Sequence, residues 1–125
     1  YDYVKSMIDF VRRDLDPHRL ISYVSFSGNR TQYTPTNDPI SVSDVILHNT
    51  YGPNPGGMLE TLERKWPGRP VFLAEIGARQ FGETLDSRID GLEERWATLA
   101  DRPGLIGAAL WTYNDYRSNY RGSAP

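Results

Sequence analysis

Four apolar runs in this 125-residue chain each lead into residues able to do chemistry. Leu20 to Phe26 opens onto Ser25-Phe26-Ser27-Gly28-Asn29, and Val45-Ile46-Leu47 onto His48-Asn49-Thr50-Tyr51. Val71-Phe72-Leu73-Ala74 ends at Glu75, and Leu105 to Leu110 ends at Trp111 through Asp115. In α/β folds, ligands bind where strands end, in the loops that follow. A carboxylate, an imidazole, a phenol, an indole and several amides therefore converge on one face. Polar groups mixed with rings suit a sugar, whose hydroxyls need hydrogen bonds and whose C–H faces stack on aromatics.

Glu75 is the sharpest candidate. A charged side chain at the end of an apolar strand is costly unless it faces an open mouth. One reading makes it an ordinary glutamate at a solvent-facing strand end. The other makes it a carboxylate nucleophile for an anomeric carbon, which must stay ionised. A donor such as the Tyr51 hydroxyl would favour the charged form.

Other signals point to structure. His48 has only His18 for company and no zinc-type spacing, so no metal site is expected. The loop Gly52-Pro53-Asn54-Pro55-Gly56-Gly57 lacks the Lys-Ser/Thr of a phosphate-binding loop, and its prolines remove backbone donors. Trp66 and Trp96, at helical spacing among apolar residues, read as core.

The elements that position these groups alternate. Val4, Met7, Ile8, Val11 and Leu15 recur at helical spacing before Pro17. Helices are also expected across Met58, Leu59, Leu62 and Trp66, and from Asp86 to Ala100 with Ile89, Leu92, Trp96 and Leu99 on one side. Residues 27–43 are polar and turn-rich. Strands are expected near 20–26, 45–48, 71–75 and 105–111. Their apolar runs do not alternate with polar residues, as in strands covered on both faces, and helical crossovers make the sheet parallel. A small open α/β sheet and part of a (β/α)₈ barrel both fit. The chain is half the length of a barrel of about 250 residues, and it runs from a helix without a preceding strand to a strand without a following helix. The expectation is α/β, residues 1–125 forming the C-terminal half of a (β/α)₈ barrel.

Composition narrows the function classes. Lys and Arg number 14 against 16 Asp and Glu, a net charge of -2, which offers no basic surface for nucleic acid. Hydrophobic residues at 38% and aromatics at 12% suffice for a packed core. No apolar run approaches the roughly 20 residues of a membrane helix, so a soluble segment is expected. With no cysteine the compartment stays open, a secreted or periplasmic protein included.

The stretches DVILHNTYG, GRPVFLAEIG and IGAALWTYNDYRSNYRGS resemble the C-terminal half of the catalytic barrel of glycoside hydrolase family 2, which contains β-galactosidases, β-glucuronidases and β-mannosidases. The resemblance covers nearly the whole chain. It implies that Glu75 is the nucleophile, that Tyr51 supports it, and that Trp111 floors the sugar site. His48, Asn49, Asn114 and Asp115 lie beside these positions and are carried over as pocket residues. No organic cofactor is implied; the implied partners are a β-glycoside substrate and the N-terminal half of the barrel.

One departure matters. The family's acid/base glutamate follows the fourth barrel strand, upstream of Tyr1. Retaining hydrolysis needs two carboxyl groups about 5–5.5 Å apart. Glu60, Glu63, Glu83, Glu93 and Glu94 fall on expected helices or a crossover loop, and Asp115 lies in a loop ill suited to a precise acid. The segment alone is thus expected to be inactive. The rivals are a retaining glycosidase of another family with the same barrel, and a non-catalytic α/β sugar- or partner-binding module.

Overall fold

The computed structural model describes residues 1–77 and 85–112. Four strands form one sheet in sequence order: β1 (Val24–Ser25), β2 (Ile46–Thr50), β3 (Val71–Ile76) and β4 (Leu105–Leu110). Each adjacent pair is parallel. Helix α1 (Asp2–Phe10) precedes the sheet, α2 (Pro55–Lys65) joins β2 to β3, and α3 (Leu85–Ala97) joins β3 to β4. An all-parallel α/β sheet in this order is half of a (β/α)₈ barrel.

The core lies between the sheet and α2. Ile46, Val71 and Leu73 meet Met58, Leu59, Leu62 and Trp66, with Ile40 and Leu99 at the edges. Asn54 caps α2: its side chain accepts from the Gly57 N–H at 2.8 Å, and Pro55 takes the first helical position, where no donor is needed.

Several elements depart from expectation. The seven-residue run at 20–26 yields only two ladder residues. Alongside it, the Ile21 N–H donates to Asp44 Oδ2, the Tyr23 N–H to Ser43 Oγ, and the Val45 N–H to Ser22 Oγ. Side-chain oxygens take donors that a longer ladder would use, so the chain runs beside β2 without pairing as strand. The first helix continues into a π-helical turn, Val11–Leu15, closed by an Asp16 N–H to Val11 C=O bond of 2.8 Å. On α1 only Ile8 is buried; Tyr3, Met7 and Phe10 are exposed, as is Leu15 in the π-helical turn. Trp66 is core, with its indole N–H on Ser41 Oγ at 2.9 Å, but Trp96 is 50% exposed and lines, with Ile76, Ala108 and Leu110, an open cavity of about 390 Å³. A 3₁₀ turn, Pro39–Val42, sits in the polar stretch, capped by Asp38. No helix among the described residues is long and apolar enough to cross a membrane.

Candidate active site

The parallel sheet puts the carboxyl ends of all four strands on one rim. Phe26 follows β1, Tyr51 follows β2, Glu75 is the penultimate residue of β3, and Trp111 follows β4. The hydroxyl of Tyr51 donates to Glu75 Oε2. The Trp111 N–H donates to the Ile76 C=O at 2.9 Å, extending the β3–β4 ladder by one residue and tying the indole-bearing residue to the neighbour of Glu75. The Trp111–Thr112 peptide bond is cis. Trp111 is 46% exposed, while Tyr51 and Glu75 are half-buried.

A bulge decides where Glu75 points. Alternation along β3 would send Val71, Leu73 and Glu75 to the same face, the one packed on α2. The register instead pairs His48 with Leu73 and Asn49 with Glu75, passing over Ala74, and the β4 register breaks across the same residues. The buried members of β3 are Val71, Leu73 and then Ile76, a step of three. The extra residue turns Glu75 off the helix-side core and toward Tyr51.

Gly77 completes the arrangement. A Cβ there would stand 2.6 Å from the Trp111 carbonyl oxygen and 3.1 Å from two carbons of the Tyr51 ring. Only a residue without a side chain lets the ends of β2, β3 and β4 converge this closely. Its N–H donates to the Thr50 C=O at 3.3 Å, and its carbonyl accepts from the Arg95 guanidinium of α3 at 3.2 Å.

The remaining sequence candidates fall in three places. Asn49 pairs in register with Glu75, and its buried Oδ1 has no hydrogen-bond partner among the described residues. His48 lies elsewhere, 1% exposed, its Nδ1 without a hydrogen-bond partner among the described residues and 3.4 Å from where a Gly28 Cβ would be, on the side of Ile40 and Leu62. Burial pushes its pKa down to about 4, against an opposing pull from Asp38. A neutral imidazole packed behind the sheet is a core residue that supports the rim, apart from Glu75 and Tyr51. Asn114 and Asp115 lie outside the described residues.

Two groups outside the sequence candidates help to build the rim. Phe26 packs on Tyr51, ring centroids 6.1 Å apart and planes inclined by 30°. It follows its strand just as Tyr51 and Trp111 follow theirs, so the same positional signal reaches it. Lys65, at the end of α2, holds the loop beyond Phe26: its Nζ donates to the carbonyls of Gly28 at 2.8 Å, Arg30 at 2.6 Å and Tyr33 at 2.8 Å. Nothing local in the sequence marks that long-range contact.

The fold has a solved counterpart. The chain superposes on the crystal structure of Bacteroides uniformis β-glucuronidase with a TM-score of 0.67 and 18% identity, covering 88% of this chain and 15% of that one. At that identity the likeness is one of fold, and the chain spans under a sixth of the length of that enzyme. No family model matches the chain. No curated protein matches it in sequence.

Proposed function

We propose that this segment is the nucleophile-bearing half of a retaining β-glycosidase barrel, of the glycoside hydrolase family 2 type. The single observation carrying this reading is the Tyr51–Glu75 hydrogen bond on a rim shared with the half-exposed indole of Trp111. A carboxylate held by a phenol beside an open aromatic face suits attack on a sugar stacked on that face.

In this reading a Glu75 oxygen attacks the anomeric carbon as the glycosidic C–O bond breaks, giving a glycosyl ester and a protonated leaving group. Water then attacks the anomeric carbon, passing its proton to the acid/base, and the sugar C–O bond to Glu75 breaks, which frees the carboxylate with net retention. Tyr51 holds the attacking carboxylate through its hydroxyl, and Asn49, in register with Glu75, is a pocket residue. Asn114 and Asp115 are further pocket residues. The proton donor and acceptor comes from the complementary half of the barrel, outside these 125 residues.

The test uses the protein carrying this segment with its complementary strands, treated with a panel of 2-deoxy-2-fluoro-β-glycosyl fluorides. Intact mass and peptide mapping should place a glycosyl adduct on Glu75, and Glu75→Gln should lose both the adduct and orders of magnitude in kcat while substrate still binds. Failure of every sugar to label, with Glu75→Gln changing sugar affinity alone, would instead favour a binding module.

A further inference from the structure

Resting on the glycosidase reading, we propose that Phe26 is the platform for the leaving group, so that the site selects β-glycosides whose departing half carries a flat apolar face, an aryl group or a second sugar. Four observations carry it. Along the sheet the rim residues run Phe26, Tyr51, Glu75, Trp111, one per strand, so Phe26 and Trp111 flank the phenol–carboxylate pair. In an eight-stranded barrel two strands' separation is about a quarter-turn of the rim. The β1 position therefore lies around the cup from Glu75, whereas Trp111 lies beside it. Displacement at the anomeric carbon expels the leaving group on the face away from the attacking carboxylate, and so away from β3.

Second, the Phe26 ring leans on Tyr51 at 6.1 Å and, 52% exposed within this segment, does not spend its apolar surface on the rest of these residues. Third, its position is fixed from behind. A Cβ on Gly28 would meet Leu62 at 2.6 Å and Ile40 at 2.9 Å, which shows how closely this backbone lies on the core. The Ser27 hydroxyl donates to buried Asp38 at 2.7 Å. Fourth, Lys65 gathers the Gly28, Arg30 and Tyr33 carbonyls, so the loop is ordered before any ligand arrives. A preset aromatic face binds a second ring without an ordering cost.

The experiment compares kcat/KM for a phenyl and a methyl β-glycoside of the same sugar, in the complete protein with Phe26, Phe26→Ala and Phe26→Tyr. Phe26→Ala should lose about fivefold to tenfold on the phenyl glycoside relative to the methyl one, the size expected for one aromatic pair, and Phe26→Tyr should restore it. Equal losses on both substrates would mean that Phe26 only steadies Tyr51, and would overturn the proposal. No turnover and no Glu75 adduct with unsubstituted protein would overturn the glycosidase reading itself, a different outcome from equal losses in an active enzyme.

Discussion

The carbonyl oxygen of Trp111 lies 2.6 Å from where a Cβ on Gly77 would be. Backbone cannot yield there as the end of a flexible side chain could. Gly77→Ala should therefore push the β4 end away from β3 and lengthen the Trp111 N–H to Ile76 C=O bond, now 2.9 Å. A cost of about 1–3 kcal/mol is expected from overpacking. Chemical denaturation measures the loss, and a changed fluorescence emission of Trp111 reports the shift at the rim. A variant with unaltered stability and emission would mean that the strand ends have room to spare.

Tyr51→Phe isolates the hydroxyl, because the ring, and with it the contact to Phe26, is retained. A hydrogen bond to a charged group contributes about 1.5–3 kcal/mol, so under the proposed glycosidase function kcat/KM in the complete protein should fall about tenfold to a hundredfold. Thermal stability should change little, since the phenol is half-buried and the variant fills the same space. Phe26→Ala differs in kind, acting on selectivity among leaving groups.

The outer edges of β1 and β4 have no strand partner among the described residues. Leu20 is 72% exposed beside one and Ile106 59% exposed on the other, while Tyr3 on α1 is 76% exposed. Unpaired edges with apolar surface recruit other chains. Residues 1–125 by themselves should self-associate, seen as a sedimentation coefficient that rises with concentration. Adding the complementary half of the barrel as a separate polypeptide should reverse this. A concentration-independent monomer that unfolds cooperatively would argue for a self-sufficient sheet.

Strand order and the parallel sheet were legible because the apolar runs stand well apart in sequence, and because the last three are joined by helical crossovers that force parallel pairing. The placement of Tyr51, Glu75 and Trp111 on one rim was legible as well, since each lies at or just beyond the end of a strand. The bulge at Ala74 was not, since a six-residue apolar strand reads the same with or without a skipped residue, yet it sets the direction of Glu75. His48 misleads because adjacency in sequence says nothing of face; two residues before the strand's end, it turns toward the helices. The short β1 was hidden as well. Ser22, Ser43 and Asp44 look like loop polarity, whereas their side chains replace ladder bonds.

The His48 imidazole gives the fold an acid limit of its own. Its pKa falls from the ordinary 6.5 to about 4, chiefly because burial disfavours the charged ring. The unfolded chain therefore binds a proton that the native state refuses between those values, and stability must rise with pH across that window. It is complete above about pH 6.5 and falls progressively toward pH 4, with a loss on the order of 3 kcal/mol. Asp44 acts lower on the scale: the Ile21 N–H and Arg12 hold its carboxyl below the usual carboxylate range, so its contribution goes only as pH falls further. Urea denaturation from pH 4.5 to 7 should show this slope in the complete protein, and His48→Leu should flatten it. The same slope in His48→Leu would assign the window to another group and leave His48 with no part in the acid response.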